Sequence, residues 1–222
     1  MDAMNQPHTF QVNDATTEYY LALPASSTSR GVLVLHAWWG LTNIFTAFCD
    51  RLADAGFVAL APDLYHGQIA HTREEAQAIQ STMNGEATYA LVNRAVEELQ
   101  ARPEIQGRPI GVVGFSMGGF WALALERGVG ALVTYYGGTG PEYVSGDAPI
   151  LGHFAEHDEF EPLESIQHLE GALKAKGLDV TFHYYPNTQH WFCEENQPGY
   201  YDAAATDLAW QRTLSFLNQH LT

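Results

Sequence analysis

A serine framed by glycines is the residue of this sequence best suited to covalent chemistry. The segment Gly114–Gly118 reads GFSMG and has Ser116 at the centre of a Gly-x-Ser-x-Gly pattern. β-Branched residues before it favour a buried strand, and apolar residues from Met117 to Arg127 have helical spacing. A strand that reverses into a helix at a serine is a nucleophile elbow, where a side chain in place of either glycine would collide with neighbouring backbone. The pattern predicts that Ser116 is a nucleophile.

An acidic partner for this serine is expected further along the chain. A hydroxyl attacks efficiently at neutral pH only when a base takes its proton, and the base needs an acid to orient it. On a nucleophile elbow the chain order is serine, acid, histidine. Asp158 follows the apolar run 149–155, at the predicted carboxyl end of a strand, and is the only aspartate of its loop. Asp158 is therefore the predicted acid, with Glu156 and Glu159 open as alternatives because either carboxylate serves in this role.

His190 is the predicted general base. It follows the apolar run 180–185 and a turn at 186–187, so it lies in a loop at the end of a strand. It also comes after Asp158, as the order requires.

The negatively charged oxygen formed during attack by Ser116 needs two N–H donors. The Met117 N–H, at the start of a helix, is the first candidate. The loop after the strand 31–36 is the expected source of the second, and Trp38 is preferred there to Ala37. Adjacent tryptophans in extended backbone cannot both pack inward, so one of them is expected to wall the pocket. The candidate pocket residues are Trp38, Trp39, Tyr65 and Phe115.

Strands and helices alternate along the chain and must position these residues. Apolar runs predict strands at 9–12, 18–23, 31–36, 57–61, 110–113, 131–136, 149–155 and 180–185. Amphipathic spacing predicts helices at 44–55, 73–83, 87–101, 117–127, 163–176 and 203–217. This alternation indicates an α/β fold with a mostly parallel central sheet of about seven to eight strands and helices on both faces. The first two strands are expected to form an antiparallel edge, and residues 1–222 a single domain.

Composition restricts the partners. The chain has 222 residues and a formal charge of −16, which argues against nucleic acid or an anionic membrane as a partner and for a soluble protein. The N-terminus has no basic and apolar leader, and no run approaches the roughly 18 apolar residues that span a bilayer. A cytoplasmic monomer or homodimer is therefore expected.

Nothing in the sequence predicts a metal ion or another cofactor. His153 and His157 are four residues apart, but they straddle a strand end instead of sharing a helix face, and no HExxH pattern is present. Cys49 and Cys193 are far apart and are expected to be small buried apolar residues.

Five segments, LHAWWG, APDLYHG, GFSMGG, AEHDEFEP and TQHWF, occur in this order, and with them the chain resembles the dienelactone hydrolase family of the α/β-hydrolase fold. The resemblance extends from about Gly31 to the last helix. It implies a hydrolase of esters or lactones with Ser116, Asp158 and His190 as its triad and the N–H groups of Trp38 and Met117 as its oxyanion donors.

Three departures bear on the substrate. In the family that this chain resembles, the members that open dienelactones have a cysteine as nucleophile. They also have a glutamate directly after the position that matches His36 and an arginine four residues after the catalytic histidine. This chain has Ser116, Ala37 and Glu194 at those places. Because Glu194 should repel an anionic lactone, a neutral ester or lactone is the expected substrate. Dienelactone hydrolysis proper is the first alternative; acyl transfer to another acceptor and a catalytically silent binding protein are the others.

Overall fold

The computed structural model describes residues 8–13, 15–26 and 28–221, and within them it has eight strands and six α-helices. The strands are β1 (His8–Val12), β2 (Ala15–Ala22), β3 (Gly31–Leu35), β4 (Val58–Pro62), β5 (Ile110–Phe115), β6 (Val129–Tyr135), β7 (Ile150–His157) and β8 (Val180–Gln189). The helices are α1 (Asn43–Asp54), α2 (Arg73–Ser81), α3 (Gly85–Gln100), α4 (Met117–Leu123), α5 (Leu163–Ala175) and α6 (Ala203–His220), with a 3₁₀ turn at Pro141–Tyr143. No helix in the described ranges is both long and apolar enough to cross a membrane.

The strands form one sheet in the order β1-β2-β4-β3-β5-β6-β7-β8. The six strands from β4 to β8 in this order run parallel, while β1 and β2 pair antiparallel with each other and β2 with β4. The predicted α/β architecture and its antiparallel edge are therefore confirmed. Because parallel strands end at one edge of the sheet, the loops after β3, β5, β7 and β8 meet there.

Each face of the sheet is covered by helices and has its own apolar core. Alternate side chains of a strand point to opposite faces, so Val32 and Val34 belong to the core on the side of α1 and α6, whereas Leu33 and Leu35 belong to the core on the side of α3, α4 and α5. All four of these β3 side chains are fully buried. A strand covered on both faces has no polar side, which explains why β3 is a continuous apolar run.

The two largest differences from the predicted boundaries, of four residues each, are at the ends of α4 and β8. Helix α4 ends at Leu123 instead of continuing to Arg127, because the chain must turn back to the sheet and does so through Gly128, with φ of +77°. Strand β8 continues through the predicted turn to Gln189, because a bulge absorbs the extra residues between the pairs Ala155–Tyr185 and His157–Gln189.

Candidate active site

Ser116 lies at the sharp turn between β5 and α4. Its backbone has φ of 51° and ψ of −114°, a region that costs a non-glycine residue of the order of 1–3 kcal/mol. The Ser116 N–H donates to the Tyr135 carbonyl of β6 at 2.9 Å, which ties the turn to the neighbouring strand. The hydroxyl is therefore presented at the carboxyl edge of the sheet by a strained but anchored backbone.

The two glycines of the motif allow this turn to pack closely. A Cβ on Gly114 would lie 2.3 Å from the Gly118 carbonyl oxygen, and a Cβ on Gly118 would lie 2.2 Å from that of Leu35 in β3. Both distances are far below van der Waals contact with rigid backbone. The glycines have the geometric role that the sequence pattern predicted.

The structure brings Ser116, His190 and Asp158 together in one chain of hydrogen bonds. Ser116 Oγ is 2.8 Å from His190 Nε2, and His190 Nδ1 is 2.7 Å and 2.9 Å from the two carboxylate oxygens of Asp158. The side chains of His190 and Asp158 are only 3% and 1% exposed. Asp158 Oδ1 also accepts the N–H groups of Phe160 and Glu161. The carboxylate is held so that a proton stays on Nδ1 and leaves Nε2 free to accept the serine proton.

The two alternative acids lie elsewhere. Glu156 is exposed and accepts the N–H of Asn187 at 2.8 Å, and Glu159 is exposed and forms an ion pair with Arg73 at 2.7 Å. Asp158 is thus the carboxylate of this loop that contacts His190.

Two backbone N–H groups near the elbow, those of Met117 and Trp38, are the predicted oxyanion donors. Met117 is the first residue of α4, so its N–H has no acceptor within the helix. Buried His36 orients the loop that contains Trp38: its Nε2 accepts the Leu64 N–H at 3.1 Å, which leaves Nδ1 to donate to the Ala37 carbonyl at 2.6 Å. Burial lowers the pKa of His36, which favours this neutral form. In a trans peptide the Trp38 N–H points away from the Ala37 carbonyl, so His36 fixes the direction of the Trp38 N–H.

A cavity of about 470 Å³ opens beside the Ser116 hydroxyl and is lined mainly by apolar side chains. The largest are Trp38, Met83, Phe120, Trp121, Phe160 and Trp191. His190 and Glu161 also reach its surface. The cavity is large enough for a small or aromatic ester and offers few polar partners to it.

Trp38 lines this cavity, but the other three predicted wall residues do not. Trp39 is buried in the core against Trp191, because consecutive side chains of the loop point in opposite directions. Phe115 points to the α1 side of the sheet and stacks on Tyr135 with ring centroids 4.6 Å apart. Tyr65 lies behind Met117, its hydroxyl 3.4 Å from the sulfur, and lines a separate cavity of about 210 Å³. The prediction of Trp39, Tyr65 and Phe115 as walls is therefore corrected.

The expected role of Glu194 also needs correction. Its side chain is completely buried beneath the site and accepts the Tyr136 hydroxyl at 3.0 Å, so it does not line the cavity. Burial raises the pKa of Glu194 to about 8. The acidic side chain that does line the cavity is Glu161, which the sequence placed in the acidic loop without a role. Nothing in the sequence distinguished it from Glu156 and Glu159 in the same loop.

Arg73 joins helix α2 to the loop that contains Asp158. The Arg73 guanidinium donates to Glu159 at 2.7 Å and to the Tyr200 hydroxyl at 2.6 Å, and lies 4.9 Å from the ring centroid of Trp191. Gln80, near the end of α2, lines the cavity. The contacts of Arg73 therefore hold one wall of the cavity in place.

The mostly parallel sheet, the elbow and the hydrogen-bonded serine, histidine and aspartate define a protein of the α/β-hydrolase fold. The model of the dienelactone hydrolase family matches residues 17–221, and the chain belongs to this family. It is accordingly a hydrolase acting on ester or lactone bonds. No group of three His, Cys, Asp or Glu side chains arranged to hold a metal ion occurs among the residues that the structure describes.

Relatives and solved structures are similar over nearly the whole chain. "Protein usf" of Aquifex pyrophilus is 30% identical, and the match covers 99% of this chain and all of that protein. A protein named "Putative carboxymethylenebutenolidase" from Aquifex aeolicus is 28% identical over 98% of this chain and all of its own. The crystal structure of a dienelactone hydrolase-like promiscuous phosphotriesterase from metagenomic libraries shares the fold, with a TM-score of 0.87, 22% identity and 98% coverage of both chains.

Proposed function

We propose that this chain is a serine hydrolase that cleaves neutral carboxylic esters or lactones through an acyl-enzyme on Ser116. The observation that carries the proposal is the continuous hydrogen-bonded path from Ser116 Oγ through His190 to the buried Asp158 carboxylate, at 2.8 Å and 2.7 Å. Such a path is what a hydroxyl needs to become a nucleophile at neutral pH.

In the first half of the reaction, Ser116 Oγ attacks the carbonyl carbon while its proton passes to His190 Nε2. The new C–O bond makes the carbonyl oxygen an oxyanion, for which the N–H groups of Met117 and Trp38 are the proposed donors. When the oxyanion collapses, the bond to the alcohol oxygen breaks, and His190 gives its proton to the departing alcohol. Asp158 stabilises the imidazolium without taking its proton.

In the second half, water attacks the acyl group and gives a proton to His190. Collapse of the second tetrahedral intermediate returns that proton to Ser116 Oγ and releases the acid. For a lactone, the alcohol and the acid are parts of one product.

The cavity supports a neutral substrate over an anionic one. Its walls are largely aromatic, and the carboxyl group of Glu161 would oppose a substrate carboxylate close to the reacting carbonyl. Because relatives bear the name carboxymethylenebutenolidase, hydrolysis of a dienelactone is the alternative reaction.

The test is hydrolysis of p-nitrophenyl esters from acetate to octanoate and of an anionic dienelactone by the wild-type chain, Ser116→Ala and Ser165→Ala. Ser165 is exposed on α5 and serves as the matched control. We expect turnover of the short esters that Ser165→Ala retains and Ser116→Ala loses, with much slower turnover of the dienelactone. Full activity of Ser116→Ala would refute the nucleophile, and silence on every substrate would favour a binding protein.

A cytoplasmic location, a single domain over residues 1–222 and a monomeric or homodimeric state stay predictions. Light scattering during gel filtration would measure the last of these.

A further inference from the structure

One carboxyl group faces the candidate catalytic cavity without a role in the triad. Glu161 Oε1 accepts the Gly138 N–H at 3.0 Å, and both residues line the cavity beside Ser116. Its other oxygen, Oε2, has no hydrogen-bond partner in the described part of the chain and is not sealed from the cavity. Glu161 Oε2 is thus available as a hydrogen-bond acceptor at the wall of the cavity.

The position of Glu161 is fixed from both ends. Its backbone N–H donates to Asp158 Oδ1 at 3.0 Å, which links it to the acid that orients His190. Its side chain is held by Gly138, where an added Cβ would lie 2.6 Å from Oε2. The loop therefore sets the distance between Glu161 and the reacting groups, and Gly138 leaves the space that this carboxyl group occupies.

The surroundings leave the charge of Glu161 uncompensated. The cavity lining contains neither Lys nor Arg, and apart from His190 its other side chains are uncharged. Arg73 points to Glu159 and Tyr200 instead. Burial, together with the nearby Asp158 carboxylate, raises the pKa of Glu161 to about 7, while the hydrogen bond from the Gly138 N–H opposes this rise.

We propose that Glu161 is a specificity-determining residue whose free Oε2 accepts a hydrogen bond from an ammonium group of the substrate. This inference rests on the proposed function, since it places that donor on an ester or lactone whose carbonyl is bound at Ser116. An ammonium group would form a charge-assisted hydrogen bond in a site with little solvent. Such bonds favour a ligand by roughly 10- to 100-fold over the isostere that lacks the donor.

The test compares two pairs of p-nitrophenyl esters that match in length and whose amines stay protonated at a pH of about 8: β-alaninate with butyrate, and 6-aminohexanoate with heptanoate. For each pair, kcat/KM of the ammonium ester is divided by that of the neutral ester at a pH of about 8, and the ratio for hydroxide hydrolysis corrects for intrinsic reactivity. The enzymes are the wild-type chain, Glu161→Gln and Glu164→Gln, since Glu164 is an exposed acid of the neighbouring helix.

In the wild-type chain we expect a corrected ratio of roughly 10 or more for at least one pair, and a loss of this preference in Glu161→Gln. Glu164→Gln should keep the wild-type ratio. A wild-type ratio near one for every pair would overturn the proposal, and so would a preference that Glu161→Gln retains.

Two controls separate this inference from the function on which it depends. If the neutral esters are not hydrolysed in a Ser116-dependent way, the proposed function fails, whereas hydrolysis without an ammonium preference refutes the role of Glu161 alone. If Glu161→Gln does not fold, the wild-type chain alone still tests the proposal. Mono-p-nitrophenyl succinate, an anionic ester, should react more slowly than p-nitrophenyl butyrate, because Glu161 repels its carboxylate. Equal or faster turnover of the succinate would overturn the proposal.

Discussion

Replacing Glu194 with Gln should change how the stability of this protein depends on pH. The Glu194 side chain is fully buried, and within the described residues only one of its carboxyl oxygens has a partner, the Tyr136 hydroxyl. Burial raises the pKa of Glu194 from 4.5 to about 8. The folded protein therefore keeps this proton to a higher pH than the unfolded chain does.

The sign and the size of the effect follow from these two pKa values. Because the folded-state pKa is the higher one, the contribution to stability is complete below pH 4.5 and is lost as the pH rises through about 8. One pKa unit corresponds to about 1.4 kcal/mol, so this residue should lower the free energy of unfolding by about 3 kcal/mol between pH 5 and pH 8. Glutamine has no proton to lose and removes this part of the pH dependence.

The assay is urea unfolding of the wild-type chain, Glu194→Gln and Glu195→Gln across this pH range. Glu195 is the exposed neighbour and should give a pH profile parallel to that of the wild type. The glutamine carbonyl oxygen can still accept the Tyr136 hydroxyl, whereas its NH2 group takes the place of the oxygen that has no partner among the described residues. That cost does not depend on pH and shifts the Glu194→Gln curve by a constant amount, so the quantity to measure is how the difference between the two proteins changes with pH. A constant difference between wild type and Glu194→Gln would refute the idea of a protonated, buried carboxyl group.

Three further changes test other parts of the structure. Gly118→Ala should lower the free energy of unfolding by several kcal/mol, measured by thermal unfolding, because the new Cβ would lie 2.2 Å from rigid backbone. The control Gly171→Ala on α5, where no atom lies within 4 Å of the new Cβ, should be neutral or stabilising, and equal effects of the two variants would contradict this. Asp158→Asn should lower kcat on p-nitrophenyl butyrate by roughly 10³- to 10⁴-fold with little change in KM, because His190 takes the wrong tautomer, and a loss below tenfold would argue against that role. Arg73→Ala should speed cleavage of the segment 66–84 by thermolysin, because the contacts that hold α2 are lost, and an unchanged cleavage rate would show that they do not restrain it.

Most of what the sequence predicted about the site came from two observations: the candidate residues follow predicted strands, and they occur in the order serine, acid, histidine. Ser116, Asp158 and His190 each follow a strand of the parallel sheet, and parallel strands deliver their loops to one edge, so three residues far apart in sequence were expected to meet. The structure brings them within hydrogen-bond distance, and their catalytic roles stay a prediction. The glycine pattern was informative because the close approach of the backbone at Gly114 and Gly118 excludes any other residue.

The pocket could not be predicted in the same way, because side-chain direction depends on packing between elements that are distant in sequence. Phe115 directly precedes Ser116, but strand alternation directs its side chain to the face of the sheet on which α1 packs. Glu194 is near His190 in sequence, and the chain buries it under Tyr136 instead of in the cavity. Glu161 reaches the cavity because its backbone N–H donates to Asp158 and its carboxylate accepts the Gly138 N–H. The spacing of residues along the sequence does not predict either contact.

The central claim is that Ser116 is the nucleophile, and covalent labelling tests it most directly. The wild-type chain is treated with a fluorophosphonate, and intact-mass and peptide mass spectrometry locate the adduct. The account predicts one phosphonyl group on Ser116, its loss in Ser116→Ala, and much slower labelling of the wild-type chain after heat unfolding. An adduct on another residue, or no adduct on a folded chain that still hydrolyses esters, would contradict it.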